Sequence, residues 1–179
     1  MNLLRAHGIT RDDSLMTCEP HGSWYYQQIE LGYNYRMTDI QAALGISQMQ
    51  RLDDFVEKRH EVAKTYNLLL KDLPIKIPFQ LGASYSAYHL YIIRLNLDNM
   101  KVSHKKVFEG LRASGIGVNL HYIPVHLQPM YQKFGFKFGD FPESEKYYSE
   151  AISMPMYPEL SKSSQNKVID SLTSIIQNK

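Results

Sequence analysis

The chain has 179 residues, of which 44% are hydrophobic and 21% charged, a composition that excludes a disordered or collagen-like protein. Its net charge of +2 is too close to neutral to predict a nucleic-acid partner. The longest uncharged apolar runs, such as Leu90 to Ile93, are far shorter than the ~20 residues that span a bilayer, so no membrane partner is expected. Cys18 is the only cysteine and is predicted to be a free structural thiol. Together with the lack of a recognisable signal peptide, it predicts a cytoplasmic protein.

Residues 1–37 have no clear periodicity and many turn residues, and we predict a loop-rich arm left from a larger domain. Only Asn2 to His7 could form a short helix. The aromatic run at Trp24, Tyr25 and Tyr26 has no neighbouring element to cover it. The arm is therefore expected to pack on another domain or subunit.

Thr38 and Gln41 have the spacing of a capping box and begin the strongest helical pattern of the sequence. Apolar residues follow one helical stripe to about Lys71, and Pro74 stops it. A rod of about thirty residues is roughly 50 Å long, more than a small domain can cover. We therefore predict a long interdomain helix over residues 38–73 and a chain that associates as a homodimer.

Residues 74–179 alternate strand and helix patterns and form the predicted small domain. Strands are predicted over residues 87–97, 117–123 and 152–154. Helices are predicted to follow Ser103, to begin at Pro142, and to follow Ser161, with Gly115 at the position of a C-terminal cap. This order predicts an α/β (α+β) sandwich with a small sheet and helices mainly on one face.

Two segments have residue types suited to binding. Asn34 and Arg36 precede a predicted helix N-terminus, where free N–H groups and the helix dipole favour an anion. His121 and Tyr122 lie where a predicted strand enters a proline-bound loop, a common place for ligand contacts. The residues alone leave alternatives open: Asn34 could cap a turn, Arg36 could pair with a carboxylate, and His121 could be a satisfied, half-buried histidine.

Other sites are not supported by the sequence. Glycine-rich phosphate-binding motifs and serine-nucleophile signatures are absent. The pair His121 and His126 is interrupted by Pro124, which prevents the two rings from sharing one helix face, and no metal site is predicted.

Four runs resemble the C-terminal part of the DegT-type sugar-nucleotide aminotransferases, which are pyridoxal-phosphate (PLP) enzymes of the aspartate-aminotransferase fold (PLP fold type I). The runs are GYNYRMTDIQAALGISQMQRLD, SAYHLYIIRL, GIGVNLHYIPVHLQPMY and GDFPESEKYYSEAISMPMYPEL. Within the family, LRAHGITRD and WYYQQIELGYNYRM most resemble members of the pseudaminic-acid pathway. Those members use glutamate to aminate the 4-keto group of a UDP-linked 4-keto-6-deoxy-N-acetylhexosamine.

The resemblance implies roles for four residues. Asn34 is implied to reach the PLP phosphate of the other subunit in a dimer. Arg36 is implied in contacts with the nucleotide phosphates, and His121 and Tyr122 in sugar-nucleotide binding. No catalytic residue is implied in this chain, because no lysine has the Ser-x-His-x-x-Lys setting in which the family forms its internal aldimine. The chain is thus expected to be a C-terminal portion that neither binds PLP nor is active alone. The alternative is a non-catalytic module for sugar-nucleotide binding or dimer assembly.

Overall fold

The structure is a computed structural model that describes residues 1–177 and divides the chain into two compact units, Met1–Arg51 and Leu52–Lys179. The strands are β1 Ile9–Thr10, β2 Gln27–Gln28, β3 Ile75–Lys76, β4 Tyr91–Leu95 and β5 Ala151–Met154. The α-helices are α1 Asp39–Met49, α2 Leu52–Leu69, α3 His104–Ala113, α4 Pro129–Gln132, α5 Pro142–Glu150 and α6 Lys162–Gln177. Two short 3-10 helices span Leu97–Asn99 and Val125–Leu127.

In the first unit the chain folds back on itself as extended segments. Strands β1 and β2 pair antiparallel, and an isolated bridge joins Ala6 to Asn34. Gly8 turns the backbone with φ +71°, and a Cβ at this position would lie 1.8 Å from the carbonyl oxygen of Glu30. The short helix considered for Asn2 to His7 is absent from this unit. Its backbone groups form turns and hydrogen bonds with residues 33–35 instead.

The capping box at Thr38 is confirmed. The Thr38 hydroxyl accepts from the Gln41 N–H at 3.3 Å, and the Gln41 side chain accepts from the Thr38 N–H at 3.0 Å. The structure divides the single helix predicted over residues 38–73 into α1 and α2. The division falls at Gln50 and Arg51, where the Arg51 N–H donates to the Gln48 carbonyl, three residues back, at 3.0 Å in a tighter turn. Whether residues 38–73 link two domains stays a prediction.

The second unit is built on an antiparallel sheet in the order β3-β4-β5. Tyr91, Ile93 and Leu95 alternate along β4 and are fully buried on one face, where they join a core with residues of α2, α3 and α6. Arg94 points to the other face and pairs with Glu150 at 2.8 Å. The predicted small sheet with helices mainly on one face is therefore confirmed.

Two of the three strands predicted in the small domain are confirmed. The strand predicted over residues 87–97 is present over the shorter range of β4, and the one predicted over residues 152–154 is β5, which begins one residue earlier. The strand predicted over residues 117–123 is wrong, since only Asn119 pairs, in a single bridge to Ser153. Leu120 donates its N–H to the Asn119 side chain at 2.8 Å, so the chain leaves the sheet.

The three helices predicted in the small domain are confirmed as α3, α5 and α6. Ser103 accepts from the Lys106 N–H at 3.2 Å, and Ser161 accepts from the Ser164 N–H at 3.1 Å. Gly115 has φ +74°, as the end of α3 requires. The sequence did not predict the short elements, namely the two-residue strands β1, β2 and β3, helix α4 and both 3-10 helices.

Candidate functional site

Asn34 and Arg36 lie on an extended segment that is held by backbone hydrogen bonds to the start of the chain. Tyr33 donates its N–H to Leu4 at 2.6 Å, and Tyr35 donates to Arg5 at 2.9 Å. The side chains of Asn34 and Arg36 are exposed, and neither has a hydrogen bond or an ion pair within residues 1–177. The polar groups of both are therefore available to a ligand.

A surface cavity of about 550 Å³ lies beside this segment. Arg36 lines it together with Ala6, Ile9, Arg11 and Tyr26. The Arg11 guanidinium lies over the Tyr26 ring, 6.0 Å from the ring centroid. Arg11 and Tyr26 were not among the predicted site residues, because only the pairing of distant segments brings them next to Arg36. An arginine pair in one concave surface is suited to an anion.

His121 and Tyr122 lie together at the point where the chain leaves the sheet. Nδ1 of His121 is 2.7 Å from the hydroxyl of Ser153, which is buried on β5. The Asn119 amide nitrogen is 3.5 Å from Nε2, and the Tyr122 ring packs edge-on against the imidazole at 4.7 Å. His121 is half-buried and satisfied at Nδ1, as the open alternative described, while Tyr122 is 72% exposed.

The structure brings Asn34 close to Arg36 in the first unit and His121 into contact with Tyr122 in the second. Sequence reasoning missed Ser153, which fixes the imidazole ring of His121. The signal for Ser153 is its place in the strand pattern after Glu150, where a polar residue stands among apolar ones.

His126, the second histidine considered as a metal ligand, is buried elsewhere. Its Nε2 lies 2.8 Å from a Glu145 carboxylate oxygen. Within residues 1–177, no three side chains of the types that bind metals lie close enough together to hold an ion. In the same range, no helix is both long and apolar enough to cross a bilayer.

Solved structures of aminotransferases share this fold. PseC of Helicobacter pylori, an aminotransferase involved in the biosynthesis of pseudoaminic acid, aligns with a TM-score of 0.84 at 27% identity, covering 99% of this chain and 45% of its own. The PLP form of the putative sugar aminotransferase Spr1654 of Streptococcus pneumoniae aligns with a TM-score of 0.82 at 25% identity, covering 98% of this chain and 42% of its own.

The sequence matches the same class of protein. The UDP-4-amino-4,6-dideoxy-N-acetyl-beta-L-altrosamine transaminase of Campylobacter jejuni subsp. jejuni serotype O:2 is 33% identical over 183 residues, covering 99% of this chain and 44% of its own. The chain spans about half the length of the curated relatives it matches. The profile of the DegT/DnrJ/EryC1/StrS aminotransferase family matches residues 1–173. The chain therefore belongs to the DegT/DnrJ/EryC1/StrS family of PLP-dependent sugar aminotransferases.

Proposed function

We propose that the chain is the C-terminal part of an aminotransferase that uses glutamate to aminate the 4-keto group of a UDP-linked 4-keto-6-deoxy-N-acetylhexosamine. The family match over residues 1–173 is the observation that carries this proposal. The similarity to the Campylobacter jejuni transaminase supports the choice of sugar nucleotide. We propose a cytoplasmic homodimer as the complete assembly.

The described residues fit one part of PLP. The exposed amide of Asn34, which has no hydrogen bond within residues 1–177, suits a phosphate oxygen as a single donor, in this proposal that of the other subunit's cofactor. When bound, PLP supplies the electron sink through which an amino group is exchanged between glutamate and a keto sugar. The sequence has no lysine in the Ser-x-His-x-x-Lys setting, so the chain alone is proposed to be inactive and not to hold PLP.

Arg36, His121 and Tyr122 are proposed to bind the sugar nucleotide. The guanidinium of Arg36 has no partner within residues 1–177 and can grip a phosphate with two parallel hydrogen bonds. Ser153 engages Nδ1 of His121 and fixes the ring, and a ligand that hydrogen-bonds to Nε2 would replace its 3.5 Å contact with the Asn119 amide. The exposed ring of Tyr122 offers a flat surface and a hydroxyl to a sugar or a base.

Calorimetric titration of the 179-residue chain with UDP and with UDP-N-acetylglucosamine tests the binding role. We expect saturable binding that is weakened by His121→Ala. The matched control is His89→Ala, which removes an exposed histidine of the same unit and should leave binding unchanged. Equal effects of the two variants would contradict the assignment of His121, and absence of binding to both ligands would contradict the sugar-nucleotide role.

The activity of the chain is tested with PLP, glutamate and a 4-keto sugar nucleotide. We expect no amination. We also expect no absorbance band of a lysine-linked cofactor that saturates at one PLP per chain. Turnover by the chain alone would contradict the proposed inactivity. Sugar-nucleotide binding that persists when a complementary large domain is added, without any amination, would favour a non-catalytic binding module.

A further inference from the structure

The cavity of the first unit contains two guanidinium groups and an aromatic ring on a partly apolar floor. Arg11, Tyr26 and Arg36 line it with Ala6 and Ile9, and its volume is about 550 Å³. Small-molecule sites commonly have volumes of roughly 300–1,000 Å³ and combine an apolar lining with a few polar groups. The size and the lining are thus those of a ligand site with positive charge.

Backbone hydrogen bonds tie together the three segments that supply these side chains. The pairing of Thr10 with Gln27 sets Arg11 beside Tyr26, one residue beyond the ladder on each strand. The bridge between Ala6 and Asn34 places the segment that carries Arg36 beside the segment that leads into β1. The cavity is therefore defined by backbone pairing within one unit and not by mobile side chains alone.

Neither guanidinium is neutralised within the described part of the chain, where no carboxylate forms an ion pair with Arg11 or Arg36. The neighbouring carboxylate of Asp12 instead accepts hydrogen bonds from Ser14, with Oγ at 2.6 Å and N–H at 3.0 Å. The Arg11 guanidinium lies over the face of the Tyr26 ring, 6.0 Å from the centroid, and a contact through the ring face leaves its N–H donors available to a ligand. A bound anion would therefore stabilise the two unpaired guanidinium groups at this cavity.

We propose that Arg11 and Arg36 together bind the diphosphate group of a nucleotide in this cavity, with Tyr26 positioning Arg11. This inference rests on the proposed function, in which Arg36 contacts the nucleotide phosphates. Two guanidinium forks offer enough donors for both phosphate groups of a diphosphate. Arg11 becomes an anion-binding residue, and Tyr26 acts through it.

The test measures dissociation constants of the 179-residue chain for inorganic pyrophosphate, UDP and uridine by calorimetry. Arg11→Gln is expected to weaken the binding of pyrophosphate and of UDP about ten- to a hundred-fold, the usual effect of losing a hydrogen bond between charged groups. Arg5→Gln is the matched control, because Arg5 is an exposed arginine of the same unit that does not line the cavity. It should leave both constants unchanged, and uridine should not bind measurably in the cavity.

Two further variants separate charge from geometry. Arg11→Lys keeps the charge without the planar fork and should recover only part of the affinity. Tyr26→Leu should weaken pyrophosphate binding less than Arg11→Gln does, since it removes only the ring that orients the guanidinium. Full recovery with lysine would overturn the bidentate role of Arg11, and an unchanged constant in Tyr26→Leu would overturn the positioning role of Tyr26.

The outcomes distinguish this inference from the proposed function. Pyrophosphate binding that depends on Arg11, with no binding of UDP, would show an anion site but overturn both the nucleotide part of this inference and the sugar-nucleotide role. UDP binding that is weakened by His121→Ala but not by Arg11→Gln would support the sugar-nucleotide role and overturn the inference. Absence of pyrophosphate binding to the wild-type chain would also overturn it.

Discussion

Nε2 of His126 lies 2.8 Å from a carboxylate oxygen of Glu145, and both side chains are only 7% exposed. The same oxygen accepts the N–H of Gly139 at 2.8 Å, and the ring of Phe141 lies 4.8 Å from the imidazole. Since a carboxylate only accepts, the imidazole donates. The pair connects the 3-10 helix Val125–Leu127 with α5, so the segment of residues 128–141 between them, which contains α4, is fixed at both ends.

The carboxyl of Glu145 should give stability that depends on pH. Burial raises its pKa, but hydrogen bonds from His126 and from the backbone of Gly139 and Phe141 outweigh burial, and the pKa is lowered from 4.5. A carboxyl whose pKa is lowered in the folded state stabilises the protein at pH values above its unfolded-state pKa. This contribution is lost as the pH falls through the folded-state pKa. We expect Glu145→Gln to lower the thermal midpoint near neutral pH, by less in acid.

Thermal unfolding followed by circular dichroism from about pH 7 to about pH 3 measures this difference. The matched control is Glu143→Gln, which removes an exposed carboxylate from the same turn of α5. A midpoint difference for Glu145→Gln that stays constant across the range would show that the carboxylate charge does not contribute.

The two capped helices should respond differently to loss of their caps. Thr38→Ala and Ser103→Ala each remove a hydroxyl that accepts a backbone N–H, which costs about 1 kcal/mol. Helix α1 buries no residue within the described chain, whereas α3 buries Val107 and Leu111. We expect Ser103→Ala to lower the free energy of global unfolding, and Thr38→Ala to speed amide hydrogen exchange in α1 alone. Equal loss of global stability in both variants would show that α1 unfolds together with the second unit.

The hydroxyl of Tyr66 should contribute to core stability. This residue of α2 is fully buried, its hydroxyl donates to the Pro155 carbonyl at 3.1 Å, and burial raises its pKa above the usual value, so the phenol is neutral. Tyr66→Phe keeps the ring but leaves the carbonyl without this donor, which costs about 1–3 kcal/mol when the group is buried. Urea unfolding measures the loss. Tyr157→Phe, at a tyrosine 46% exposed, is the control, and an equal change in both would contradict the role of the buried bond.

The sequence predicts those features that a few neighbouring residues determine. The caps at Thr38 and Ser103 and the left-handed Gly115 follow from local backbone sterics and hydrogen bonding, which hold in almost any tertiary context. The strand predicted over residues 117–123 is reduced to a single bridge at Asn119, because the Asn119 side-chain amide competes with the ladder for the next N–H, and propensity does not report such a competition.

The composition of the site depends on pairing between distant segments, and this limits what a single sequence predicts. Arg36 was found from its place before a helix, but Arg11 lies beside it only because β1 pairs with β2. The two-residue strands have no period-2 pattern to reveal that pairing. Likewise, the hydroxyl of Ser153 reaches His121 through the sheet bridge at Asn119, 34 residues earlier in the chain.

Helix α1 should drive self-association. Two of its apolar side chains one turn apart are exposed within the described chain, Ile40 at 83% and Leu44 at 61%, and an exposed apolar face of this kind is typical of a protein interface. We expect the chain to dimerise in light scattering and Leu44→Ser to shift it toward monomer, because a polar side chain weakens apolar burial. Leu68→Ser is the control, since Leu68 is 74% exposed on α2. A wild-type chain that is monomeric at high concentration, or equal shifts in both variants, would contradict association through α1.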